Sequence, residues 1–95
     1  MIEQKNIDIL VVEDNTHQIE FLSFLLNKIG IRDIQTATNY EEAIQHCNTS
    51  LPDIALIDII LPNSKSGIEV AKFIKQQNTA IPIIFITRNL SLIHI

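Results

Sequence analysis

The chain alternates between two hydrophobic periods. Ile7 to Val12 reads IDILVV, a short β-branched run interrupted near its start by Asp8 and ended by Glu13-Asp14-Asn15, and it predicts a first strand. Beyond it Ile19, Leu22, Leu25, Leu26 and Ile29 fall three and four apart, one face of a helix. Asp14 or Asn15 stands at its N-cap and Gly30 at its C-cap. Ile34 to Ala37 predicts a short second strand. Asn39 is placed to cap a second helix, in which Tyr40, Ala43, Ile44, Cys47 and Leu51 share a face and which Pro52 stops. Asp53 to Leu61, DIALIDIIL, is apolar on both phases of its alternation and broken only by Asp58. That pattern belongs to a strand covered on both faces, as in parallel sheets. A polar loop, Pro62 to Ser66, leads through Gly67 to a third helix with Ile68, Ala71, Phe73 and Ile74, and Ile81 to Thr87, IPIIFIT, predicts a fourth strand. Strands alternating with helices, over connections too long for hairpins, make βαβ units and a parallel α/β sheet.

That order places the polar chemistry. Glu13 and Asp14 fall at the carboxyl end of the first strand, Asp58 at that of the third and Thr87 at that of the fourth. Open parallel sheets bind ligands outside the carboxyl ends of their strands, where the winding direction reverses. If the first strand lies between the second and third, all four residues converge on one edge. Crowded carboxylates repel one another unless a cation joins them, and Mg²⁺ suits a site of one or two carboxylates, waters and a phosphate oxygen. A carboxylate can also attack a phosphoryl group to form an acyl phosphate. Asp58 is then the attacking group, Glu13 and Asp14 hold the metal, and Thr87 donates its hydroxyl to the new phosphoryl group. Singly, each residue has a plainer reading, as a helix cap, a turn residue or a β-former; together, in this order, they favour the site.

Composition narrows the class. At 95 residues, 46% hydrophobic and 19% charged, the chain makes at most one domain. The net charge of −4 comes without a basic cluster, so no nucleic acid is expected to bind through this segment. Cys47 is the only cysteine, which excludes an internal disulfide and reads best as a small buried helix residue. No apolar stretch approaches the ~20 residues that span a bilayer, and the polar start MIEQKN lacks the design of a signal peptide. The expectation is no membrane partner and a cytoplasmic location. His17 and His46 have no second ligand at metal spacing, and no role is expected of them or of His94.

Taken as a set, VVEDN at 11–15, DIILP at 58–62, Gly67 and IPIIFIT at 81–87 resemble the receiver domain of two-component response regulators. The resemblance runs from Ile7 to about Thr87. It implies a doubly wound, flavodoxin-like parallel sheet of order 2-1-3-4-5, of which this chain holds 2-1-3-4, with the fifth strand and last helices missing. It implies a phosphoacceptor, Asp58, that takes its phosphoryl group from a sensor histidine kinase or a histidine phosphotransfer protein with Mg²⁺ present, and then switches conformation. Asp14 and Asp58 are by this match direct metal ligands, Glu13 acts nearby through water, and the backbone carbonyl of Ile60 completes the set. Thr87 matches the switch hydroxyl. The chain departs from the family in two places. The loop from Pro62 to Gly67 is one residue longer than the commonest spacing, and the lysine expected at the end of a fifth strand has no counterpart, since Lys65 and Lys75 do not match it.

The chain is expected to be a single incomplete receiver domain over 1–95, family-like over about 7–89, with an effector domain missing from the C-terminus. Residues 90–95, LSLIHI, correspond to a one-frame translation of a transposon-end adapter used in sequencing libraries, and are expected to be a non-native tail. Three other functions fit the same residues less well. A pseudo-receiver would keep the fold as a binding module without phosphorylation. A Mg²⁺-dependent phosphatase with an aspartyl nucleophile would need an acid two residues after it, where Ile60 stands. A dinucleotide or flavin site would need a Gly-rich or hydroxyl-rich turn after the first strand, and this turn is acidic.

Overall fold

Two asparagines open two of the helices. The Asn15 side chain accepts from the Gln18 N–H and that of Asn39 from the Glu42 N–H, both at 2.9 Å, each taking a donor that a helix start leaves without a partner inside the helix. The structure, a computed structural model, describes residues 6–86. Thr87 and the tail at 90–95 lie outside them. The elements run β1 (Asp8–Val12), α1 (Thr16–Lys28), β2 (Asp33–Ala37), α2 (Tyr40–Thr49), β3 (Ile54–Asp58), α3 (Gly67–Gln77) and β4 (Ile83–Ile86). Gly30 follows α1 with φ 94 and donates to Asn27 O at 3.0 Å, closing the helix with a backbone conformation that suits glycine.

All strand pairs are parallel and the order is β2-β1-β3-β4, the doubly wound order expected from the sequence. From β1 the chain steps outward to β2, then returns past β1 to β3 and continues to β4. Right-handed crossovers therefore place α1 on one face and α2 and α3 on the other. The register is fixed at its start by two aspartates. Asp8 N–H donates to the Asp53 carboxylate at 2.9 Å, and Asp53 N–H donates to Asp8 O at 2.8 Å, so the residue that interrupts the first apolar run ties β1 to the approach of β3.

The main core lies on the α2–α3 side. Leu10, Val12, Ala55 and Ile57, alternate residues of β1 and β3, pack with Ala43 and Cys47 of α2 and Val70, Ala71 and Ile74 of α3. Burial pushes the Cys47 thiol pKa up, which leaves it a protonated packing group. The opposite phase, Ile9 and Val11, is also buried, so β1 is covered on both faces, as its run of apolar residues implies.

The structure corrects three sequence readings. β3 ends at Asp58 rather than at Leu61, because the chain turns there and Ile59 to Ser66 form the crossing to α3; Leu61 is buried as a loop residue. Helix α2 ends at Thr49, leaving Leu51 exposed beyond it. The apolar face assigned to α1 is only partly covered: no α1 residue is fully buried, and Leu25 and Ile29 are 44% and 73% exposed.

Candidate functional site

The site forms where the winding reverses, in the gap between the carboxyl ends of β1 and β3. Val12 is opposite Ile57, so the next residues out, Glu13 and Asp58, leave the sheet side by side. Glu13 N–H continues the β1–β2 ladder to Ala37 O at 2.9 Å. Ile59 N–H extends the β3–β4 ladder to Ile86 O at 3.3 Å. Asp58 is thus held between two strand ends rather than on a free loop.

Glu13, Asp14 and Asp58 each bring a carboxylate oxygen within 4.8 Å of the others. Glu13 and Asp58 are buried, and Asp14 is half-buried. Among the described residues this is the only grouping of His, Cys, Asp and Glu close enough to hold a metal ion. Burial pushes the Glu13 pKa up from 4.5 to about 7. The Asn15 N–H, which donates to its carboxylate at 3.1 Å, works against the rise, while the Asp14 side chain and the negative charge of Asp58 add to it. Three oxygen donors at this spacing, one of them reluctant to ionise, make a place that gains from a small hard cation.

Two backbone contacts set the Asp58 side chain. Ile60 N–H donates to Asp58 Oδ1 at 3.0 Å, which fixes the rotation of the carboxylate. Gly67 N–H donates to Ile59 O at 2.8 Å, which draws the start of α3 against the end of β3. The approach is so close that a Cβ on Gly67 would lie 1.9 Å from Asp58 O and 2.7 Å from Ile57 Cγ2. Only glycine fits. The Ile60 side chain itself is exposed.

Of the residues singled out in the sequence, Glu13, Asp14 and Asp58 come together and Ile60 borders them through its backbone. Thr87 falls one residue past β4, outside the described residues. The sequence did not signal a further contact beside the site, between Ser64 in the loop and Tyr40 at the start of α2, at 3.0 Å. The two are 24 residues apart, and no periodicity links them.

A family model described as "Response regulator receiver domain" matches residues 9–94. The alkaline phosphatase synthesis transcriptional regulatory protein PhoP of Bacillus subtilis is 38% identical over 82 residues, 86% of this chain and 33% of PhoP. The phosphate regulon transcriptional regulatory protein PhoB of Escherichia coli is 35% identical over 81 residues, 83% of this chain and 34% of PhoB. The chain therefore spans about a third of the length of these curated relatives. Among solved structures, the receiver (REC) domain of the Erythrobacter litoralis response regulator PhyR superposes with a TM-score of 0.81 at 30% identity, covering 94% of this chain and 69% of that one.

Proposed function

Since this chain belongs to the response regulator receiver-domain family, we propose that it is a phosphoacceptor, taking a phosphoryl group onto Asp58 from the phosphohistidine of a sensor histidine kinase or a histidine phosphotransfer protein. The observation that carries this reading is the meeting of Glu13, Asp14 and Asp58 within 4.8 Å at the carboxyl ends of β1 and β3. An Asp58 carboxylate oxygen attacks phosphorus, the P–N bond of the donor breaks, its electron pair stays on the imidazole, and an acyl phosphate forms on Asp58. Ile60 N–H holds the carboxylate while this happens. The residues that would hold the cation are Asp14 and Asp58, with Glu13 and the Ile60 backbone carbonyl beside them. When bound, Mg²⁺ would neutralise these carboxylates and the charge that builds on the phosphoryl oxygens. Thr87 is the hydroxyl assigned to the phosphoryl group after transfer, the contact that would carry the conformational switch.

None of the described helices is long and apolar enough to cross a membrane. Relatives of which this chain covers about a third, named as transcriptional regulators, support a role in which this domain governs an effector domain elsewhere in a longer protein.

The metal is tested by titration. Asp14→Ala should weaken Mg²⁺ binding by tenfold or more, on the order of 1.4 kcal/mol, because it removes one of two direct carboxylates. The pH dependence has a definite sign. The Glu13 pKa is raised from 4.5 to about 7, so the metal-free fold bears the cost of ionising Glu13 as pH rises through that window, and its stability should fall between about pH 5 and pH 8. A cation needs the ionised form, so Mg²⁺ affinity should fall as pH drops below about 7, by up to roughly tenfold per unit. Calorimetric titrations with Mg²⁺ at pH 8 and pH 6 check the affinity, and urea unfolding of the metal-free chain at the same two pH values checks the stability. Equal affinity at the two pH values and in Asp14→Ala would place the cation elsewhere.

A further inference from the structure

The loop between β3 and α3, one residue longer than the commonest family spacing, is anchored at both ends. At the β3 end, Ile60 N–H holds Asp58 Oδ1 and Gly67 N–H holds Ile59 O. At its crest, Ser64 Oγ accepts from the Tyr40 N–H at 3.0 Å and donates to Lys65 O at 2.8 Å. Tyr40 is the first residue of α2, so Ser64 takes one of the donors that the helix start leaves open; Asn39 already takes the Glu42 N–H. The Lys65 ammonium lies over the Tyr40 ring, 4.9 Å from its centroid, and the ring packs against the core. Asn63, at φ 59, supplies the left-handed turn that brings Ser64 round, a conformation asparagine tolerates better than most residues. A serine at a turn would by itself be ordinary. Here a single hydroxyl joins the segment that orients Asp58 to a different helix.

We propose that Ser64 is a positioning residue for phosphoryl transfer: by accepting from the Tyr40 N–H it pins the loop to α2 and so fixes Ile59 and Ile60, which set the angle of the Asp58 carboxylate. The loop and the first turn of α2 then move as one unit when Asp58 is loaded. This rests on Asp58 being the phosphoacceptor.

The chain carries one tyrosine and no tryptophan, so its tyrosine fluorescence comes from Tyr40 alone. The test follows phosphate uptake from acetyl phosphate at saturating Mg²⁺, well below the unfolding temperature, in the parent chain, Ser64→Ala and Ser64→Thr. Ser64→Ala should take up phosphate about fivefold more slowly, the factor matching one neutral hydrogen bond of about 1 kcal/mol. Ser64→Thr keeps the hydroxyl and should stay within about twofold of the parent. Tyr40 emission should change when beryllofluoride and Mg²⁺ are added to the parent, and should change much less in Ser64→Ala. A purely structural role would lower the unfolding temperature of Ser64→Ala without moving its uptake rate. Parent-like uptake in Ser64→Ala, or uptake in Ser64→Thr as slow as in Ser64→Ala, would overturn the proposal while leaving Asp58 in place. A parent chain that takes up no phosphate at all would overturn the Asp58 reading, and the positioning role with it.

Discussion

Asp58→Ala should take up no phosphate under conditions in which the parent chain is labelled to about one group per molecule. The expected effect is total because no other carboxylate can replace the lost one. Glu13 is buried at the end of β1, with its carboxylate taken by the Asn15 N–H. Asp14 is assigned to hold the cation in the proposed site rather than to attack. Asp53 is tied to the Asp8 N–H at the opposite end of the strands. The label should be base-labile, as an acyl phosphate is, and gel or mass analysis of intact chains at fixed times reads it directly. The substitution relieves charge crowding but takes the acceptor from the Ile60 N–H, so an unfolding curve of Asp58→Ala run beside the labelling separates loss of the acceptor from loss of the fold. Undiminished labelling of Asp58→Ala would remove Asp58 from the mechanism.

The largest effect on stability should come from Gly67→Ala. A glycine at the first position of a helix is ordinarily an invitation to stabilise by alanine, by up to about 1 kcal/mol. Here the sign should reverse. The added methyl would sit 1.9 Å from Asp58 O and 2.8 Å from Asp58 C, both backbone atoms, and backbone cannot swing aside as a side chain does. Relief requires α3 to shift off the end of β3, which stretches the Gly67 N–H to Ile59 O bond and loosens Val70, Ala71 and Ile74 in the core. Overpacking typically costs about 1–3 kcal/mol and occasionally more. A clash with the Asp58 carbonyl, with the Ile57 side chain also in the way, belongs at the upper end, about 3 kcal/mol, against a typical total of about 5–15 kcal/mol. Urea unfolding of Gly67→Ala should show a lowered midpoint and an unfolding free energy reduced by that amount, and phosphate uptake should slow as well, because Asp58 is the residue pushed. An unchanged midpoint would mean that α3 does not start where it is placed here.

Much of this was legible in the sequence, because alternation and helical spacing are local properties. The apolar runs at 7–12 and 81–87 mark β1 and β4, and the asparagine caps start α1 and α2 close to where they were expected. The three acids could be assigned to one edge because a strand end is a local feature and the strand order follows from the family resemblance. What was not legible depends on distant partners. Ile59, Ile60 and Leu61 continue an apolar run, so the pattern alone carries β3 past Asp58, and only the turn toward α3 shows where pairing stops. The α1 pattern gives a helical face but not what covers it, hence the exposed Leu25 and Ile29. The need for Gly67 arises from a carbonyl nine positions earlier in the chain. The raised pKa of Glu13 arises from burial and from its neighbours, neither of which is written in the residue itself. The Ser64–Tyr40 bond joins two turns whose sequences are each unremarkable.

The central claim is that Asp58 carries the phosphoryl group, and locating the modification tests it most directly. The chain is labelled with acetyl phosphate and Mg²⁺ and treated with borohydride, which reduces an aspartyl phosphate to homoserine. Trypsin then releases one peptide between Arg32 and Lys65 that holds Asp33, Asp53 and Asp58 together, so fragmentation of that peptide discriminates among them. Homoserine at position 58 alone is the predicted result. Homoserine at 33 or 53, or at Asp14 in the preceding peptides, with residue 58 still aspartate, would contradict it.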